Sequence, residues 1–227
     1  KFEDNSLSQK TIIVDEIPGA LFHNGGRIKF GPDGFLYITT GDSQNPSLSQ
    51  DKNSLAGKIL RVTDTGKPAP GNPYATGVFS LGHRNPQGLA WHPVTKQLYA
   101  SEHGQTRNDE INLILKGKNY GWPIEECKAM DYEKSLRCYS EFTLAPSGIV
   151  FYNNDLYVAG LRGTQLIKIV FDKDGKTILD EVELFKDIGR IREVVEHDGY
   201  LYIATSNRDG RGIPKINDDK IIRVKLN

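Results

Sequence analysis

One unit recurs four times along the chain: an apolar strand, a turn, and a second strand centred on Leu-Tyr. The copies are Ile28 to Asp42 (IKFGPDGFLYITTGD), Gly88 to Gly104 (GLAWHPVTKQLYASEHG), Gly148 to Gly163 (GIVFYNNDLYVAGLRG) and Val194 to Asp209 (VVEHDGYLYIATSNRD). The turns are assigned to Asp33-Gly34, Asn154-Asp155 and Asp198-Gly199, residue types that tolerate the positive φ of a tight hairpin, and to a looser Pro93-Val94-Thr95-Lys96. After each hairpin comes a further strand-like segment: Gly57 to Val62, Glu110 to Leu115, Gln165 to Phe171 and Lys220 to Leu226. Alternation in Lys58-Ile59-Leu60-Arg61-Val62 and Ile221-Ile222-Arg223-Val224-Lys225 marks these segments as half-exposed outer strands.

Repeats that each supply inner strands and then an edge strand are the signature of blades stacked around an axis. A β-sandwich gives no reason for the unit to recur, so the expected fold class is an all-β propeller. Lys10 to Val14 reads as one more outer strand, belonging to a blade whose inner strands are not in this sequence. No linker divides residues 1–227, which read as a single propeller domain lacking its N-terminal blades.

Lys+Arg 29 against Asp+Glu 29 leaves no net field for a polyanion, which excludes nucleic acid as an expected partner. There is no long apolar run for a membrane span and no signal-peptide pattern. Cys127 and Cys138 lie in a polar, charged stretch (Glu125, Glu126, Lys128, Asp131, Glu133, Lys134). Spacing alone fits a disulfide or two free thiols, but free cysteines prefer apolar surroundings, so the bond is favoured. That points to an exported protein, periplasmic or extracellular.

In a propeller the turns that follow inner strands gather at one mouth of the channel. His23 precedes Gly25-Gly26, where backbone can approach a ligand, and its neutral imidazole can accept a proton near pH 7. Arg84, Asn85 and Gln87 pack a cation and two amides into a proline-fixed turn with no local acid, so an anion or a distant carboxylate must lie near. Arg190 and Arg192, two apart on a strand, face one side, and with Arg162 they suit a ligand bearing several carboxylates. The Ser101 to Asn112 segment (SEHGQTRNDEIN) offers backbone carbonyls and acids that could hold calcium, or simply form a capped turn.

These clusters, in this order, resemble the soluble glucose and aldose sugar dehydrogenases that use pyrroloquinoline quinone (PQQ), which are six-bladed propellers. The likeness is carried by His23 with GGR, FGPDGFLYITTGD, GKILRV, LGHRNPQGLAW, SEHG with NDEINLI, GKNYGWP, APSG, LRG and RIREV. It implies that His23 is the base that takes the C1 hydroxyl proton of an aldose, and that Arg84 stabilises charge beside the quinone. It further implies PQQ binding by Arg84, Asn85, Gln87, Arg162, Arg190 and Arg192. Calcium binding by the backbone carbonyls of Gly104 and Gln105 would be supported by Asp109. Arg162, Gln105 and His103 depart from the glucose-specific pattern, and the segment between Trp122 and Phe142 is short, which implies the broader aldose type. The implied partners are an aldose and an external electron acceptor, with oligomerisation as a further possibility. The alternative function is an inactive propeller that binds a glycan or protein. Metal-dependent lactone hydrolysis ranks last, because the expected mouth is basic rather than carboxylate-rich.

Overall fold

The computed structural model describes residues 2–3, 6–7, 10–127 and 130–225. Lys1, Lys128 and Leu226, which the expectations touched, lie outside the described residues. A short pair, β1 (Phe2–Glu3) and β2 (Ser6–Leu7), precedes four antiparallel sheets formed in chain order. The first sheet runs β3 (Ile28–Phe30), β4 (Leu36–Thr40), β5 (Lys58–Val62), β6 (Val78–Leu81). The second runs β7 (Pro86–Trp91), β8 (Leu98–Glu102), β9 (Asp109–Ile114), β10 (Arg137–Tyr139). The third runs β11 (Pro146–Tyr152), β12 (Asp155–Gly160), β13 (Leu166–Phe171), β14 (Ile178–Leu184), and the last has β15 (Ile191–His197), β16 (Tyr200–Thr205) and β17 (Ile221–Lys225). These are propeller blades. A single 3₁₀ turn, Pro46–Ser49, is the one helical piece among the described residues.

The Leu-Tyr pair explains the stacking. Successive strand residues point to opposite faces, so the tyrosine of one repeat packs on the next blade while the leucine packs the other way. Tyr37 sits with Leu89 and Leu98 of the second blade. Tyr99 sits with Ile149 and Phe151 of the third. Tyr157 sits with Val194 and Leu201 of the last. Each fully buried side chain of this size contributes roughly 1.5–3 kcal/mol, and the pattern repeats because each sheet needs a neighbour on both faces.

The structure corrects four expectations. The third turn is Asn153-Asn154, because Tyr152 pairs with Asp155 across the hairpin. Three of the expected outer strands are third strands covered by an unforeseen fourth: β6, β10 and β14. Charge at Lys58 suggested exposure, yet its ammonium is buried and donates to the carbonyls of Leu48 (2.8 Å), Ser49 (3.1 Å) and Ala56 (2.6 Å). Arg61 likewise lies over the Phe35 ring and donates to Asp33 Oδ2 (2.8 Å). Finally, Lys10 to Val14 forms no strand. No described backbone is aligned to pair with it, and it crosses the Thr63–Lys67 turn, with the Ile13 carbonyl against Gly66 and Val14 packed on the first blade's apolar cluster.

Candidate functional site

All ten residues singled out for chemistry line one open pocket of about 1090 Å³: His23, Arg84, Asn85, Gln87, Gly104, Gln105, Asp109, Arg162, Arg190 and Arg192. It also takes in Phe22, His103, Asp209 and Arg211. Its walls come from the loops that lead into and out of the first two strands of each blade.

His23 is held by the end of β4. Its carbonyl accepts the N–H of Ser43 (3.0 Å), and the loop lies so close to Gly41 that a Cβ there would sit 1.9 Å from the His23 oxygen. The His23 backbone is left-handed (φ 61°), a conformation uncommon for a residue with a Cβ and often kept where a side chain must be aimed. Its Nδ1 lies 2.9 Å from Asp42 Oδ1. Asp42 is buried, and burial alone would raise its carboxyl. The hydrogen bonds from His23, from the Gln44 N–H (2.9 Å) and from Trp122 Nε1 (2.8 Å) outweigh that and hold it below the ordinary carboxylate value. An ionised Asp42 makes Nδ1 the donor and leaves Nε2 as an acceptor, the state a general base requires.

Arg84 reaches the pocket from the turn before β7. Burial disfavours its charge, and the carboxylates of Asp42, Glu126, Glu102 and Asp109 compensate. These are the distant acids that the acid-free turn required. Its Nη1 donates to the His103 carbonyl (3.2 Å), its guanidinium lies 5.3 Å from the Trp122 ring, and its Nε is buried with no partner among the described residues. Asn85 Oδ1 accepts the Gly25 N–H (3.1 Å), which ties the His23 loop to the second blade.

Three inner strands carry a bulge at the end facing the pocket: between Pro86 and Gly88, Pro146 and Ile149, and Ile191 and Glu193. A bulge re-aims the extra residue. The extra residues here include Gln87, Ser147 and Arg192, and they meet: Arg192 Nη1 donates to Gln87 Oε1 (3.0 Å) and approaches Ser147 Oγ (3.4 Å). Arg190 donates through Nε (3.0 Å) and Nη2 (2.8 Å) to Asp209 Oδ2, and through Nη1 to the Leu161 carbonyl (3.1 Å). Part of the positive charge is thus already balanced. Arg162 is exposed at the rim.

In the Gly104–Asn108 loop, Asp109 is fully occupied as a brace. Its Oδ1 accepts the Gly104 N–H (3.0 Å) and its Oδ2 those of Leu144 and Ala145 (both 2.8 Å). Burial raises its carboxyl above the ordinary value, against those three bonds. The Gly104 and Gln105 carbonyls accept no hydrogen bond among the described residues, so two hard oxygens stay open to a cation. Among the described residues there is no group of three or more His, Cys, Asp or Glu placed to hold a metal ion. Beside them, burial pushes the His103 imidazole down to about 3, with the Pro146 carbonyl opposing and Arg84 and Arg192 adding to the effect. Cys127 and Cys138 are disulfide-bonded, with Cα atoms 5.5 Å apart. Glu126, next to the disulfide, accepts hydrogen bonds from the Gln105 N–H (3.1 Å) and Asn108 Nδ2 (3.2 Å).

Asp42, Trp122, Glu102 and Asp209 were not assigned from sequence. A signal existed for the acids: in three of the four repeats one stands at or just past the end of the second strand, as Asp42, Glu102 and Asp209.

Residues 1–217 match the family described as Glucose / Sorbosone dehydrogenase. The aldose sugar dehydrogenase YliI of Escherichia coli is 34% identical over 218 residues, covering 83% of this chain and 58% of that protein. Quinoprotein glucose dehydrogenase B of Acinetobacter calcoaceticus is 37% identical over 142 residues, 52% of this chain and 30% of that one. The PQQ-bound aldose sugar dehydrogenase of Streptomyces coelicolor superposes with a TM-score of 0.87 at 45% identity, over 91% of this chain and 63% of that chain. The chain therefore spans less than two thirds of the length of these relatives. With the family match running over residues 1–217 and a relative 34% identical over 83% of it, this chain belongs to the glucose/sorbosone dehydrogenase family.

Proposed function

We propose that the pocket is the PQQ- and calcium-dependent site of an aldose sugar dehydrogenase that oxidises the C1 hydroxyl to the lactone. The observation that carries this reading is the His23–Asp42 pair, 2.9 Å apart, opening on a pocket lined by five arginines. PQQ, when bound, would supply the two-electron oxidant and hydride acceptor, and calcium would supply a Lewis acid. His23 Nε2 accepts the hydroxyl proton as the C1–O bond becomes a carbonyl, and Asp42 stabilises the resulting imidazolium. Arg84 stabilises negative charge developing beside it, as a donor fixed in place before the reaction. Arg162, Arg190 and Arg192 bind carboxylates, for which the guanidinium fork is suited, while Asn85 and Gln87 supply amide contacts. The Gly104 and Gln105 carbonyls hold the calcium and Asp109 keeps their loop in shape.

An acid-oriented base is of no use to a pure binding module, which disfavours that alternative. The open pocket and exposed rim favour a range of aldoses with an external electron acceptor. The disulfide favours an oxidising compartment, periplasmic or extracellular. No helix among the described residues is long and apolar enough to cross a membrane.

The test is dye reduction by the full-length protein with PQQ, calcium and aldoses. His23→Ala should lower kcat by about 10²-fold or more, the range of a general base, and chelation should remove activity that calcium restores. Wild-type protein that neither perturbs the PQQ spectrum nor reduces dye overturns the reading.

A further inference from the structure

The indole of Trp122 joins the two halves of the pocket. Its backbone N–H donates to the Gly82 carbonyl (3.0 Å) and its carbonyl accepts Gln50 Nε2 (2.6 Å), so the residue is pinned to the loops of the first and second blades. The side chain is buried. Its Nε1–H donates to Asp42 Oδ2 (2.8 Å), while Oδ1 receives His23 and Gln44. The same ring lies under the Arg84 guanidinium, 5.3 Å from its centre. Arg84 Nε has no hydrogen-bond partner among the described residues and Nη1 has only the His103 carbonyl, so the ring face is a main support of that head group.

We propose that Trp122 is a positioning residue for both halves of the site: its N–H fixes the carboxylate that aims His23, and its ring seats Arg84. The consequence for turnover rests on the dehydrogenase reading, whereas the geometry does not. An indole N–H donates and never accepts. It can therefore satisfy Asp42 Oδ2 only as an acceptor, which keeps the carboxylate from turning and holds Oδ1 towards Nδ1 of the base. Without that donor, Oδ2 is a buried oxygen with no partner among the described residues, and the carboxylate is held through Oδ1 alone.

Trp122→Phe separates the two roles, because it keeps an aromatic face and loses the N–H. In the full-length protein without PQQ, the ¹⁵N spectrum of His23 should move away from the Nδ1–H form. With PQQ and sugar, kcat should fall about tenfold at little-changed KM, the pattern of lost orientation rather than lost binding. Trp122→Leu should in addition weaken PQQ binding by about threefold to tenfold, as expected for a lost cation–π contact. Folded Trp122→Phe protein with a wild-type His23 spectrum overturns the first role, and wild-type PQQ affinity in Trp122→Leu overturns the second. If the variants fail to fold, the wild type still decides the first role. Its Trp122 indole proton should exchange slowly with solvent and shift in Asp42→Asn; a fast-exchanging proton overturns the proposal. Wild-type protein that ignores PQQ sinks the dehydrogenase reading alone, since the His23 spectrum is read without it.

Discussion

At the scale of single residues, the site is governed by how buried charge is satisfied. Asp42 has no solvent to stabilise it and depends on His23, Gln44 and Trp122 for its ionised form. Its folded-state value is depressed below the ordinary one, so the stability it contributes is present above the unfolded value near 3.8 and is lost as pH falls below that. Asp42→Asn should accordingly be less stable than wild type at neutral pH, with the gap closing below about pH 4, as denaturant unfolding across pH would show. The same variant should lower kcat by about 10²-fold or more, because a neutral amide can hold the wrong tautomer of His23. Equal stability at pH 7 together with wild-type kcat would contradict both expectations. His23 stood out in the sequence as a candidate base through its place ahead of Gly25-Gly26 together with the family resemblance. Its partner was not, since an acid 19 residues away pairs with it only once β3 and β4 have folded together.

At the scale of elements, the hairpins were readable and the strands that cover them were not. Leu-Tyr alternation with Asp-Gly or Asn-rich turns specifies a two-strand unit locally. The fourth strands are weakly patterned: Arg137–Tyr139 has three residues, and Ile178–Leu184 is an edge whose Asp180 and Glu183 are exposed while Glu181 turns to Arg137 and Tyr139. The disulfide belongs to this scale. It joins residues 11 positions apart directly after Glu126, whose carboxylate accepts the Gln105 N–H of the loop that carries the Gly104 and Gln105 carbonyls. Replacing both Cys127 and Cys138 by serine should cost about 3 kcal/mol, the loop-closure term for such a ring. It should also weaken calcium binding, measured by calorimetry on the PQQ-loaded protein. A double variant with unchanged stability and calcium affinity would show that Glu126 needs no staple. The bulges at Gln87, Ser147 and Arg192 left no mark in the sequence, because a bulge is set by the register of two strands and not by either alone.

At the scale of the whole molecule, blades are sheets that need a neighbour on each face. Lys29 reaches the Leu89 carbonyl of the second blade (3.1 Å), which turns Ile28 and Phe30 of the same strand to the opposite, exposed face (63% and 61%). Ile221 of the last blade is 79% exposed. Apolar faces of this kind associate, so the 227-residue chain by itself should self-associate with rising concentration in sedimentation experiments, and Phe30→Ser should reduce it. A strictly monomeric chain, indifferent to that change, would show that the face is not sticky. Across the hub, Arg27 of the first blade pairs with Glu193 of the last and donates to the Gln87 carbonyl of the second (3.0 Å). Residues separated by 166 positions meet there, and no local pattern encodes the meeting. The sequence by itself determined the repeating hairpin, the all-β stacking and the residue types at the mouth, because alternation and turn chemistry act between near neighbours. Only the tertiary structure decided which acid lies against His23 and which ring lies against Arg84, because burial and long-range register choose partners among groups that the chain leaves far apart.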